Sequence, residues 1–428
     1  MKRFSPLVAT ICGVAAAATL FALSGCAAST LAAATLVPSG QPLKADAQIQ
    51  STEPLTGAIN EFGLDLLKAC VAANETSGNV IVSPVSVHAA LSMTVNGAKG
   101  ETKQQMRGVL HTDSMSAKEA NQQWASLLSA LAERQPDQTL AIANSLWARQ
   151  SVAFKKRFID TDRDYFGAQV STLDFANDDV AGAINGWVAK NTHGMITRIV
   201  EEVPSDTILY LANAVYFKGD WITPFEHEST YKQDFMRADG AKVEVDMMHA
   251  TRPMPYAQNA AVQGTRLAYE GNDTGFYILL PKPGVDVDAA MDSLGASGLS
   301  DLRKGMRSEG VTEVVLGLPK IDVDLTARLE KELDAMGMSR AFDPDNAQFS
   351  GVADQQISIG EVRHKTRVTV DEKGTEAAAA TIVGLRWLGV EESPPKPRIV
   401  CDRPYLFAIV DEQSGAMLFL GVVNDPTK

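Results

Sequence analysis

His364-Lys365-Thr366-Arg367-Val368-Thr369-Val370 runs straight into Asp371-Glu372-Lys373-Gly374-Thr375-Glu376-Ala377-Ala378-Ala379-Ala380-Thr381-Ile382-Val383, and the two halves follow different rules. The first alternates with period two. His364, Thr366, Val368 and Val370 fall on one face and Lys365, Arg367 and Thr369 on the other, which predicts a strand. The second half fits no single element: alanine favours helix and is depleted in strands, yet the run begins at a glycine, has no amphipathic stripe and ends in β-branched residues. It reads either as a small-residue loop or short helix, or as a segment with two states, exposed in one and slotted into a sheet in the other. Slotting between strands requires small side chains that are uncharged on the buried face. If insertion starts at Thr375, the inward set is Thr375, Ala377, Ala379, Thr381 and Val383, with Glu376 outward.

Outward from this stretch the chain reads as mixed α+β. Ser83 is placed to cap a buried helix whose first turn tolerates Pro84, with Val87, Leu91 and Val95 on one side and Asn96-Gly97 as its stop. A later helix is predicted from about Leu325, with Leu325, Leu329, Leu333 and Met336 on one stripe and Gly337 ending it. Strands are predicted over residues 208–217, 276–280 and 311–318, and as a closing hairpin over 405–411 and 416–423. No linker, repeat or low-complexity break divides residues 54–428, so they form one unit.

Composition narrows the function. The 428 residues are 45% hydrophobic, enough for one large core or two ordinary ones, and a net charge of -13 without a long Lys/Arg run argues against a nucleic-acid partner. Four cysteines (Cys12, Cys26, Cys70, Cys401) without close pairing argue against a disulfide scaffold or a zinc site. The six histidines stand singly, Glu391-Glu392 reads as a solvated loop pair, and no phosphate loop, HExxH or GxSxG motif occurs. Neither a metal nor a cofactor is called for, and a hydrolase lacks its constellation.

Met1-Lys2-Arg3 followed by an almost continuous apolar run to Leu23 reads as an export signal. Leu23-Ser24-Gly25-Cys26 resembles the bacterial lipobox, which makes residues 1–25 a removable leader and Cys26 a lipidated N-terminus. A single transmembrane anchor is the alternative. Loss of Lys2 and Arg3 leaves the exported chain at about -15. Residues 26–53 are small and polar and read as a flexible tether to the envelope or cell surface. Cys70 and Cys401 then sit in a disulfide-permitting compartment, either paired or separately buried.

The segment Glu372-Lys373-Gly374-Thr375-Glu376 with Ala377, Ala378, Ala379 and Ala380 resembles the reactive-centre-loop hinge of inhibitory serpins. Four further motifs resemble the same family in order: Asn79 to Ser86 with Gly97 to Thr102, Asn213 to Trp221 with Pro224-Phe225, Leu318-Pro319-Lys320, and Asp402 to Phe407. The resemblance covers residue 54 to the C-terminus. It implies a three-sheet domain with about nine helices and an exposed loop near residues 372–400, and a monomer that acts as a suicide substrate. A target serine, or cysteine, protease cuts the loop, which then enters the central sheet and traps the acyl-enzyme. Seventeen residues from Glu372 to Leu388 span roughly 55 Å as a strand.

The family's spacing places the cut at Leu388-Gly389, which suits an apolar primary pocket. Arg386-Trp387 is the alternative, for a basic-specific enzyme. The segment after it is unusually long and holds Pro394-Pro395-Lys396-Pro397. The same comparison makes Ser83, Ser86, Asn213 and His364 the shutter under the sheet, and Trp221, Lys320 and Glu372 the breach where insertion starts. Non-inhibitory serpins often carry bulky or charged hinges, which this chain lacks. A surface lipoprotein that only binds a ligand is the alternative from another class.

Overall fold

Leu55, Ile59, Phe62 and Leu66 recur at helical spacing and form the buried stripe of α1 (Glu53–Ala73) in a computed structural model of the chain. The structure describes residues 51–74, 78–133, 138–175, 179–204, 207–295, 297–375 and 395–428. The leader 1–25, Cys26, the tether to residue 50, Ala377, Ala378, Ala379, Ala380, Arg386, Trp387, Leu388 and Gly389 lie outside the described residues.

After β1 (Val80–Val82), Pro84 opens α2 (Pro84–Val95), which is buried on nearly every side and so runs through the interior. The expected Ser83 side-chain cap is not made. Ser83 N–H donates to His364 Nε2 at 2.9 Å instead. Helices α3 (Gly100–Val109) and α4 (Ala117–Glu133) lead to β2 (Gln138–Arg149), α5 (Lys156–Phe166), β3 (Gln169–Leu173) and α6 (Val180–Asn191). β4 (Leu209–Asp220) is buried along almost its whole length, as an interior strand covered on both faces must be.

β5 (Thr230–Met236), β6 (Lys242–Gln258), β7 (Val262–Ala268) and β8 (Thr274–Pro281) precede helices α7 (Val287–Leu294) and α8 (Gly298–Ser308) and strand β9 (Val311–Pro319). β10 (Ile321–Arg328) takes the start of the helix expected from Leu325. Ile321 and Val323 are buried while Asp322 and Asp324 are exposed, so a two-residue alternation prevails over leucines that fall four apart by coincidence. Helix begins only with α9 (Glu330–Leu333) and continues through a π-helical turn, where Gly337 has φ 111°, into α10 (Ser339–Phe342). β11 (Glu361–Val370) alternates as predicted, with His364, Thr366, Val368 and Val370 all buried. β12 (Gly374–Thr375), β13 (Arg398–Val400) and the wholly buried hairpin β14 (Tyr405–Asp411) and β15 (Met417–Val423) complete the fold.

The six-stranded sheet runs β10-β11-β4-β2-β3, with β12 against β4. The nine-stranded one runs β1-β15-β14-β8-β7-β6-β9-β13, with β5 on β6. β6 is shared, since its first part pairs with β5 and β9 and its last three residues with β7. Two ladders joined by one long strand, plus the six-stranded sheet, make the three-sheet α+β plan. Leu209, Leu211, Val215 and Phe217 of β4 join the main core with α2, while Tyr210, Ala212, Ala214 and Tyr216 face a second cluster with Ile184 and Trp187 of α6.

Candidate functional site: the gap between β4 and β11

β11 and β4 are parallel neighbours, paired from Glu361↔Tyr210 to Arg367↔Tyr216. Beyond that level they part. Val368, Thr369 and Val370 stay with β10, whereas Asp220 and Gly219 pair with Gly374 and Thr375 of the antiparallel β12. The chain thus leaves β11, turns at residues 371–373 and heads back into the gap. A strand in this position is antiparallel to both neighbours. Extending it downward replaces one parallel ladder by two antiparallel ones, which are slightly stronger per residue.

The turn is closely determined. Asp371 N–H donates to Gly374 O at 2.9 Å, and Asp371 Oδ1 accepts from the N–H groups of Lys373 (2.9 Å) and Gly374 (3.2 Å). Gly374 has φ 156°, and a Cβ there would lie 2.3 Å from Gly219 O and 2.6 Å from Asp220 Cα, so only glycine fits. Trp221 fixes the turn from the other side: its N–H donates to Lys373 O at 2.7 Å and its Nε1–H to Asp371 O at 3.0 Å. Its buried ring stacks on Tyr269 at 4.4 Å and meets Phe276 edge-on. Phe225 N–H donates to Glu372 O at 2.7 Å, and Lys320 Nζ donates to Glu372 Oε2 at 2.7 Å. His227 Nδ1 lies 3.8 Å from Glu372 Oε1. Burial alone would raise the Glu372 carboxyl, but the Lys320 ammonium and local hydrogen bonds outweigh it and hold the group below the usual glutamate range.

In the middle of the paired stretch, where His364 stands opposite Asn213, a buried polar network joins the strands to α2. Asn213 Nδ2 donates to Ser86 Oγ (2.5 Å) and to Asn144 Oδ1 (2.6 Å). His364 Nδ1 and Asn213 Oδ1 are 2.6 Å apart. Because Ser83 N–H can only donate, His364 Nε2 must accept, so the proton sits on Nδ1 and points at Asn213. Desolvation lowers this imidazole to about 3, and it is neutral in the folded protein. Ser83 Oγ is buried without a partner among the described residues.

Trp221, Lys320, Glu372, Gly374 and Thr375 therefore meet at the open end of the gap, and Ser83, Ser86, Asn213 and His364 at its closed centre. Sequence reasoning missed Asn144 and the Asp371 turn. An asparagine within the apolar strand segment 141–147 was the available signal, since a buried amide there needs a partner on another strand. Cys70 and Cys401 are both free thiols.

A family model described as "Serpin (serine protease inhibitor)" matches residues 57–426. An uncharacterized serpin-like protein of Thermococcus kodakarensis is 33% identical over 383 residues, covering 87% of this chain and 86% of that relative. Iripin-2 of Ixodes ricinus is 31% identical over 382 residues, covering 88% of this chain and 94% of its own length. Among solved structures, the thermophilic serpin tengpin in the native state superposes with a TM-score of 0.80 at 28% identity, covering 91% of this chain and 97% of tengpin. The chain belongs to the serpin family of serine protease inhibitors, and its role is that of a protease inhibitor rather than of an enzyme.

Proposed function

We propose that the chain is a monomeric suicide-substrate inhibitor of serine, or cysteine, endopeptidases with an apolar primary pocket, cut at Leu388-Gly389. Arg386-Trp387 is the alternative bond, for a basic-specific target. The protease nucleophile attacks the Leu388 carbonyl carbon, an acyl-enzyme bond forms, and the Gly389 amine leaves carrying the proton. The freed segment then enters between β4 and β11. The observation that carries this reading is the antiparallel start at Gly374↔Asp220 and Thr375↔Gly219, beside a parallel pair of strands.

Continued in the same register, Ala377, Ala379, Thr381 and Val383 come opposite Phe217, Val215, Asn213 and Leu211, while Glu376 comes opposite Lys218. The first four partners face the main core or the polar network, where small uncharged side chains fit. Trp221, Lys320 and Glu372 act as the entry point, and Ser83, Ser86, Asn213 and His364 as the gate that parts as the new strand descends. We further propose export with a lipid on Cys26 and a tether over residues 26–53 that holds the inhibitor off the membrane.

Incubation with a small protease panel, followed by denaturing gels and mass spectrometry, tests the reading. The expected result is a covalent complex that survives denaturation, with a released peptide starting at Gly389. Thr375→Arg should abolish the complex and leave a plain substrate, because insertion would bury an unpaired charge. A Thr375→Arg variant that still traps its protease would overturn the mechanism.

A further inference from the structure

Residues 221–225 form a strap over the hinge turn and reach three successive carbonyls: Trp221 Nε1–H donates to Asp371 O, Phe225 N–H to Glu372 O and Trp221 N–H to Lys373 O. One end of the strap is fixed by the buried Trp221 ring and by Ile222 N–H, which donates to Ala268 O at 2.9 Å. At the other end Pro224 has no N–H to give, and the N–H of Phe225 is already engaged with Glu372 O.

Arg252 of β6 holds that second end. Its Nη1–H donates to Pro224 O at 3.0 Å, and its guanidinium carbon lies 5.3 Å from the centroid of the buried Phe225 ring, within reach of a cation–π contact. One side chain thus grips two consecutive residues of the strap. The position is a costly one for an arginine. Arg252 is half-buried and in no ion pair with a described residue, and burial pushes its guanidinium down to about 10. Its cross-strand neighbour Val314 is fully buried, so an aliphatic side chain would suit the sheet at least as well. A guanidinium kept there calls for a reason beyond packing.

We propose that Arg252 is a positioning residue for the hinge: by holding Pro224 and Phe225 it keeps the Phe225 amide on Glu372 O, and so sets how firmly residues 371–375 are seated at the open end of the gap. Its effect on inhibition rests on the insertion reading given above, whereas its effect on the seating does not. The planar guanidinium suits the task, because it donates from its edge while its face lies on a ring, which a lysine ammonium cannot do at once. With the guanidinium gone, the turn keeps the two bonds from Trp221 and loses the support of the third.

Hydrogen–deuterium exchange of the intact protein, read by mass spectrometry on fragments covering 221–225 and 370–375, tests the seating. Arg252→Met keeps a long stem and removes the donor and the charge. It should speed exchange in both fragments by about fivefold, the factor that one neutral hydrogen bond is worth, while β14 and β15 exchange as before. Arg252→Lys should do the same to a smaller degree, and serves if the Met variant does not fold. Unchanged exchange at 370–375, or an equal rise throughout the chain, would overturn the proposal. Against a protease that the unmodified chain traps, Arg252→Met should raise the number of inhibitor molecules consumed per protease. It should add nothing further in combination with Gly374→Ala, which already unseats β12, and an additive rise would again overturn the proposal. An unmodified chain that traps no protease would count against the insertion reading, and the exchange result would still decide the role of Arg252.

Discussion

Acid should loosen the gate at the centre of the sheet by a calculable amount. His364 titrates near 6.5 in an unfolded chain but only at about 3 when buried against Asn213 and Ser83 N–H. Its folded value is depressed, so the stability it contributes is complete above 6.5 and is lost as pH falls from there toward 3. At pH 5 the gap of about 1.5 units corresponds to roughly 2 kcal/mol. His88, also wholly buried and lowered to about 4, loses a similar amount over the same window. Urea unfolding of the intact protein and of His364→Gln at pH 7.5 and pH 5.0 separates the two histidines, since every other titrating group is common to both. The variant should be weaker at pH 7.5, having lost part of the buried network, yet its further loss on acidification should be smaller by about 2 kcal/mol. Equal acid sensitivity of the two proteins would refute the assignment of a neutral, gate-closing imidazole.

Other outcomes follow from the same geometry. Gly374→Ala places a methyl group against Gly219 O and should expel β12 from the gap, raising the number of inhibitor molecules consumed per protease trapped while leaving the melting temperature nearly unchanged. Lys320→Ala removes the partner of Glu372; with Lys320 partly exposed, the cost should be only about 1 kcal/mol in urea unfolding at neutral pH, and it should shrink as pH falls through the depressed titration of Glu372. Asp162 is wholly buried, accepts from Asn96 Nδ2 at 3.2 Å, and is raised well above the ordinary aspartate value by desolvation. Its stabilising protonated form is lost as pH rises, so Asp162→Asn should raise the melting temperature at pH 8 and give little at pH 4.

The sheet strands were legible because burial leaves a simple trace. β11 alternates cleanly, β4 is apolar on both faces, and β14 was bounded at its true ends, Tyr405 and Asp411. The errors arose where two periods overlap or where a polar group turns inward. Leu325, Leu329 and Leu333 mimic a helical stripe across a strand-to-helix boundary, and the competing Ile321-Asp322-Val323-Asp324 alternation was the truer signal. Ser83 precedes a helix as a cap would, but its backbone serves a histidine 281 residues away, a pairing that no local pattern encodes. Composition left the stretch from Gly374 onward open between a small-residue loop or short helix and an inserting segment, and the hinge reading came from the family resemblance; of that stretch only Gly374 and Thr375 are among the described residues. The Asp371 turn is local, an aspartate accepting from the amides two and three residues on, and was overlooked, whereas the partners of Trp221 depend on long-range placement that no local pattern encodes.

The two rungs formed by Gly374 and Thr375 also fix the frame of anything that follows them. Strand association is slow chiefly in its first contacts, which order several residues for few bonds, and here those contacts exist before any peptide bond is cut. An offset of one residue would turn Glu376 inward and the alanine series outward. Under the proposed insertion, the pinned glycine would remove that error at its origin and leave the entering segment one alignment to adopt.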